Sequence, residues 1–257
     1  MNKKDKKTPL REKPLRLPGQ SLDEEMERLL DKMDDILFFP LFFAPLALIE
    51  WWHWYFRRPG NLWIAVILTA IMILTGIYAT IKISKLRGIR RQLSLGRDGE
   101  RVVGQCLEEL RAKGYRVLHD IVGEDFNIDH VVIGPTGIFT VETKTVRKPA
   151  KGESIISFRE EKILIDGINP DRDPLIQARA QAAWVKRFLE SHLGKIFQVK
   201  PAVVYPGWFV EKMPKTLDVW VLNEKALPTF IINEHAALGA DNLQAITYQL
   251  CQHIRTR

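Results

Sequence analysis

Cysteine is almost missing from this chain, with two in 257 residues, Cys106 and Cys251, each on an apolar helical face. Two thiols so placed predict neither a disulfide framework nor a zinc site, and the simple inference is a reduced, cytosolic environment. No internal repeat and no low-complexity domain is visible, which excludes solenoid and propeller designs. A cleavable signal peptide is also lacking, because about 35 polar residues precede the first apolar run. Nor is there an acidic surplus. The net charge of +7 favours a polyanionic partner, yet much of it lies beside an apolar segment, where membrane topology accounts for it.

Long apolar runs, by contrast, fill the first third. Residues 62–83 carry no charge before Lys82, and a helix of that length crosses the ~30 Å hydrocarbon core of a bilayer. Residues 36–56 are apolar and aromatic but include Pro40, Pro45, Glu50 and His53. They read as a second span, or else as a re-entrant or surface segment. Trp51, Trp52, Trp54 and Tyr55 suit an interfacial belt, and Glu50 and His53 beside them are expected at the interface. Lys82, Lys85, Arg87, Arg90, Arg91 and Arg97 follow residue 81, whereas the connection offers only Arg57 and Arg58. Positive flanks stay cytoplasmic, so the hairpin is expected to tip outward at residues 57–61. Both termini and the remaining domain then face the cytosol, in a multi-pass protein of the cytoplasmic membrane. Residues 1–35 open with Lys3, Lys4, Lys6 and Lys7 and include Pro9, Pro14 and Pro18. They read as a basic, disordered arm able to touch anionic lipid or nucleic acid, with a short acidic helix over residues 21–35. Residues 84–94 form a basic linker, and residues 95–257 are enough for one ordinary globular domain.

Within that domain, residues 127–144 are the most informative stretch. Asp129 stands in one apolar strand, Pro135 and Thr136 make a turn, and Glu142 and Lys144 stand in a second apolar strand. Side chains two apart on a strand share a face, so Glu142 and Lys144 point the same way. Phosphodiester cleavage needs an activated water and neutralisation of charge on the phosphoryl oxygens. Hard carboxylate oxygens hold Mg²⁺ or Mn²⁺ with open water positions for both tasks. Asp129 and Glu142 are the expected metal ligands, the Thr143 carbonyl can complete the shell, and the Lys144 ammonium can orient water and stabilise negative charge. An acid-x-lysine pair is common on solvated strands. Here Val131, Val132, Ile133, Ile138, Phe139 and Val141 make both strands look buried, and buried carboxylates are rare unless paired or metal-bound.

The turn leaves two registers open. A two-residue loop pairs Gly134 with Gly137 and sets Asp129 opposite Glu142, roughly 5 Å away at Cβ. Proline, however, forbids the positive φ that such hairpins prefer at the first central position. A bulge at Gly137 would pair Gly134 with Ile138 and move Asp129 to the other face. The catalytic reading requires the first register or a compensating bulge.

Two helices flank these strands. Val102, Val103, Cys106, Leu107 and Leu110 recur at helical spacing before Gly114, with Glu100 in the first turn, where it either complements the helix dipole or joins the site. A second helix starts at Pro174, well suited to a first helical position, and runs to Gly194. Gln177, Gln181, Trp184 and Phe188 line one of its faces; Gln177 can point into a cleft, while Gln181 reads as a boundary residue of the packed face. Strands are expected at residues 115–122, 199–205, 218–222 and 230–232, a hairpin at 155–165, and a closing helix at 241–254. That order fits a central mixed sheet flanked by helices, an α/β fold.

Gly96-Arg97-Asp98-Gly99-Glu100, Asn127-Ile128-Asp129-His130-Val131, and Gly137-Ile138-Phe139 leading into Glu142-Thr143-Lys144 resemble the NERD (nuclease-related) domain. That family belongs to the PD-(D/E)xK phosphodiesterase superfamily, with restriction endonucleases and RecB-type nucleases, and the resemblance covers roughly residues 94–190. It implies a restriction-endonuclease-like sheet after the transmembrane hairpin. It also implies that Glu100 is the first-helix acid, Asp129 the metal-binding aspartate, Glu142 with Lys144 the ExK pair, and Gln177 the glutamine of the following helix. Asp173-Pro174 departs from the Asn-Pro more usual in the family. The expectation is a membrane-anchored, Mg²⁺-dependent nuclease acting on DNA, with Arg147, Lys148 and Lys151 holding phosphates. The alternative is a catalytically silent nuclease fold tethered as a nucleic-acid binder or scaffold.

Overall fold

The computed structural model describes residues 12–57, 61–123, 126–149 and 154–256. Lys3, Lys4, Lys6, Lys7 and Pro9 of the basic arm, Arg58 of the expected hairpin tip, and Lys151 lie outside the described residues. The chain divides into two units, Ser21–Ser94 and a second composed of Met1–Gln20 with Leu95–Arg257.

Two long helices, α1 (Gln20–Tyr55) and α2 (Leu62–Glu108), account for the first unit. The acidic segment and the first apolar run are one continuous helix, with Pro40 and Pro45 inside it. Each proline removes one backbone donor, which an apolar helix tolerates when neighbouring groups compensate. Between the helices Trp51 Nε1 donates to Thr69 Oγ1 at 2.9 Å. Phe38, Leu41, Trp63 and Leu74 are all exposed, far more apolar surface than a water-soluble unit leaves open. Both helices are long and apolar enough to cross a bilayer. Residues 84–94 are helical as well, part of the unbroken α2.

The second unit begins with the end of α2 and a 3₁₀ turn, Glu109–Lys113, closed by Gly114 at φ 85°. There follow β1 (Arg116–Val122), β2 (Asn127–Gly134), β3 (Gly137–Thr143), β4 (Ile155–Arg159), β5 (Lys162–Ile165), α3 (Pro174–Leu193), β6 (Val199–Val204), β7 (Phe209–Val210), β8 (Trp220–Leu222), α4 (Leu227–Ile232) and α5 (Ala240–Thr256). Among the described residues the main sheet has the order β1-β2-β3-β6-β8, antiparallel through β3 and parallel beyond it. A smaller sheet, β5-β4-β7, is built from the hairpin after β3 and the short strand after β6. This is a mixed α/β architecture preceded by two apolar helices.

Each face of the main sheet has its own cover. Val117, Val132, Phe139 and Val141 pack with Val103 and Leu107 near the end of α2 and with Leu110 of the 3₁₀ turn, so Glu100 stands in the last turns of a 47-residue helix and not in the first turn that the sequence suggests. Leu118, Val131, Ile133 and Ile138 pack with Val185 and Leu189 of α3 and Ile246, Leu250 and Ile254 of α5. The first face also buries a polar chain. His119 Nε2 meets Glu108 Oε1 at 2.9 Å, and His119 Nδ1 meets His130 Nδ1 at 2.9 Å. Burial lowers the basicity of both rings, of His130 strongly. A single proton between the two Nδ1 atoms is consistent with neutral imidazoles.

Residues 230–232 are not the short strand that the sequence suggests. They end α4, whose Leu227 and Ile231 lie four apart on its buried face. A short apolar run does not distinguish a strand from one turn of a packed helix, and Pro228 in the first turn favours the latter.

The hairpin between β2 and β3 has the two-residue loop, with Gly134 opposite Gly137 and His130 opposite Val141. Positive φ falls on Gly137, at 137°, so Pro135 is relieved of it. The turn is held from outside: Ala237 N donates to Pro135 O at 2.8 Å, and Thr136 Oγ1 donates to Ile231 O at 2.8 Å while meeting the Tyr115 hydroxyl at 3.0 Å. A Cβ on Gly134 would lie 1.9 Å from Tyr115 Cδ1. Gly134→Ala is therefore expected to cost about 1–3 kcal/mol, read as a lowered midpoint in thermal unfolding. Gly239→Ala, which meets nothing within 4 Å, should leave the midpoint nearly unchanged.

Candidate active site

The observed register places Asp129 one rung beyond the His130–Val141 pair, across from Glu142. Glu142 is 3% exposed and shares the sheet face of Ile138 and Thr140, the side covered by α3. Thr143 N donates to Asp129 Oδ2 at 2.6 Å, which ties the two strands together at the carboxylate. Lys144, just past the end of β3, donates through Nζ to Glu142 Oε1 at 2.6 Å and to Gln177 Oε1 at 2.7 Å. Of the residues singled out from sequence, Asp129, Glu142, Thr143, Lys144 and Gln177 are thus joined by direct contacts. Glu100, 9% exposed, is close enough for its charge to act on Asp129.

Asp129 also sits at an irregularity. The ladder between β1 and β2 pairs His119 with His130 and Ile121 with Ile128, and the pair between them, Asp120 with Asp129, is missing. Asp120 has φ 50°, a conformation that aspartate adopts at low cost among non-glycine residues. Ile128 and Val131 both belong to the α3-covered core despite their odd separation, so strand alternation breaks between them. Such local distortions re-aim side chains and recur beside active sites.

Gln181 is the residue whose place the sequence underrates. It is 1% exposed and no boundary residue. Its Nε2 donates to Glu142 Oε2 in a short contact and to Asn127 O at 3.0 Å. The four-residue step from Gln177 on one helical face was the available signal, since i and i+4 point the same way. The helix that presents both amides starts at Asp173, whose Oδ1 accepts from Leu175 N at 2.8 Å, with Pro174 next. Aspartate and asparagine cap comparably well, so aspartate at 173 leaves the start of α3 intact.

Burial is the main cause that pushes the Asp129 carboxyl well above its ordinary range, and the charges of Glu142 and Glu100 push it the same way. The Thr143 amide and the Lys144 ammonium oppose them. Burial first, then Asp173 and Glu142, raises the Tyr205 hydroxyl as well. Among the described residues no group of three or more His, Cys, Asp or Glu side chains is arranged to hold an ion. The smaller set of two opposed carboxylates plus a backbone carbonyl suits a hard divalent cation, which would relieve the repulsion acting on Asp129.

Beyond Lys144 a cavity of ≈ 1020 Å³ opens between residues 146–149, the β4–β5 hairpin and residues 166–171, with Arg147, Lys148 and Trp208 among its walls. Trp208 Nε1 donates to Val146 O at 3.1 Å and fixes the strand's exit.

A carboxyl raised in the folded state binds its proton more tightly there than in the unfolded chain. Its favourable effect is complete below the ordinary value, 3.8, and is lost as pH rises toward the higher folded value. Asp129→Asn removes that loss. In the presence of a chelator it is expected to raise the thermal midpoint at pH 7 by a few degrees, about 1 kcal/mol, and to have no such effect near pH 4, checked by calorimetry at both pH values.

Residues 95–206 match the model of the nuclease-related domain. An uncharacterized protein of Bacillus anthracis is 44% identical over 54 residues, which is 19% of this chain and 26% of that protein. The chain thus spans about a quarter of the curated relative it matches. No solved structure matches the chain. The segment that matches the nuclease-related domain runs from the last turns of α2 through β6 and contains Glu100, Asp129, Glu142, Lys144, Gln177 and Gln181.

Proposed function

We propose that the chain is a membrane-anchored, divalent-metal-dependent nuclease of the PD-(D/E)xK type that hydrolyses phosphodiester bonds in nucleic acid, DNA in the first instance. The observation that carries this reading is the Lys144 ammonium bridging Gln177 and the buried Glu142 beside the half-buried Asp129. Asp129, Glu142 and the Thr143 carbonyl would hold Mg²⁺ or Mn²⁺, which when bound supplies an acidified water and neutralises charge on the scissile phosphate. An ammonium has three N–H donors, so Lys144 can serve both oxygens and still reach a water or a phosphoryl oxygen. Gln181 and Gln177 fix the rotamers of Glu142 and Lys144, which keeps the charged groups in place without reorganisation. Glu100 adds negative charge beside Asp129 and strengthens its preference for a cation. Arg147 and Lys148 lie along the cavity leading away from Lys144 and would meet the phosphates of a bound strand.

Support for the membrane part comes from two helices long and apolar enough to cross a bilayer and from the surplus of lysine and arginine after the second. By the positive-inside rule the nuclease-related domain faces the cytosol. Protease added outside intact cells should leave the domain whole, and its removal there would reverse the orientation.

Catalysis is tested with the purified full chain in detergent. Cleavage of DNA and RNA is expected to require Mg²⁺ or Mn²⁺, to stop with chelator, and to fall at least about 100-fold in Lys144→Ala with folding intact. Full activity in Lys144→Ala would remove this assignment. Metal-independent nucleic-acid binding without cleavage by the wild type would favour the tethered, catalytically silent reading.

A further inference from the structure

The compact unit that carries residues 95–206 also takes in Met1–Gln20, whose described part, residues 12–20, lies along the end of α2 and β1. Arg16 Nε donates to Asp120 Oδ2 at 2.7 Å in an ion pair whose side chains are 15% and 3% exposed. Leu15 packs against the core shared by α3, α5 and the sheet. Pro18 occupies the space a side chain at 104 would need, since a Cβ on Gly104 would lie 2.7 Å from Pro18 Cγ. Gly19, at φ 72°, passes Arg97 so closely that a Cβ would lie 2.9 Å from its Cγ. Glu12 pairs with Arg255 at the end of α5.

Asp120 is also the residue across from Asp129 at the missing rung of the β1–β2 ladder, held at φ 50°. A buried carboxylate in that backbone state persists when its surroundings over-determine it, and a guanidinium is a strong determinant.

Building on the metal-site reading above, we propose that residues 12–20 are a strap belonging to the nuclease-related domain, and that Arg16 is a positioning residue. By holding Asp120 in the ladder gap, Arg16 fixes the distortion that presents Asp129 to its cation. The contact that bears on Asp129 runs from Arg16 through Asp120 to the β1–β2 pair. A chain cut at residue 95 would keep every ligand and lose the support of one.

The test uses full-length protein in detergent, with Mn²⁺ alone as the probe, in wild type, Arg16→Gln, Arg16→Lys and Asp129→Asn. Mn²⁺ affinity is read by calorimetric titration or by the paramagnetic signal of the free ion, and fold integrity by circular dichroism and the thermal midpoint. The wild type is expected to bind Mn²⁺ and Asp129→Asn to lose it. Arg16→Gln should bind about 10- to 100-fold more weakly, as when other outer partners of metal ligands are removed. Arg16→Lys, which keeps the charge but not the planar fork, should fall between and keeps the comparison usable if Arg16→Gln does not fold. A lowered midpoint in the folded Arg16 variants with unchanged Mn²⁺ affinity would mean that the strap only stabilises the fold, and would overturn the proposal. If the wild type itself binds no Mn²⁺, the metal-site reading fails and the proposal with it, an outcome distinct from the previous one.

Discussion

The register between β2 and β3 is the constraint on which the site depends. Gly134 faces Gly137, and a slip of one residue would turn Asp129 away from Glu142. Proline in the loop works against this pairing, and three features outside the hairpin hold it: the Ala237 amide on Pro135, the Thr136 contact with Ile231, and the Tyr115 ring filling the space at Gly134. Ile231, 95 positions from Thr136 in sequence, thus helps to set the geometry of two carboxylates. Once they face each other, the remaining parts follow. Repulsion between them is offset by the Thr143 amide, the Lys144 ammonium and the Gln181 amide, and each of these donors comes from an element whose position the same register determines.

The buried amides of α3 have an electrostatic role besides a structural one. Gln181 contacts Glu142 without bringing a charge, while Gln177 accepts from Lys144 and so directs the ammonium without neutralising it. A second lysine at either position would quench the carboxylates, whereas leucine at 181 would leave a Glu142 oxygen without a donor and leucine at 177 would leave a Lys144 N–H without an acceptor, which is costly in an apolar setting. Neutral donors and acceptors therefore hold the site in shape without cancelling its negative charge. Asp173 serves the same end at longer range, because capping α3 with its own side chain fixes where the helix starts and hence which residues face the sheet.

Much of the fold was legible in residue patterns: the strands over residues 116–122, 199–204 and 220–222, the hairpin of β4 and β5, and the helices α3 and α5 all fall where periodicity and turn residues put them. The pairing of Glu142 with Lys144 was legible for the same reason, since it needs only the alternation of one strand. What escaped were features that depend on distant chain. The α4 turn looked like a strand because three apolar residues carry no period of their own. The helical linker over residues 84–94 gave no warning, because arginines and lysines suit a helix and a linker equally well. Gln181 resembled the edge of a packed face, and only the placement of Glu142 against it makes it a buried partner. Asp120 is the hardest case, since its ion-pair partner Arg16 lies 104 residues earlier, and no local pattern carries that information.

That separation bears on biosynthesis. Arg16 leaves the ribosome long before β1 is translated, and between them come α1 and the apolar part of α2, which must find their own environment first. The piece of the domain made earliest can thus dock only after the intervening helices have been placed and the sheet has formed around Asp120. Closing so large a loop comes late in folding, so a nascent chain stalled at the helices would carry a sheet whose Asp120 has no guanidinium to meet.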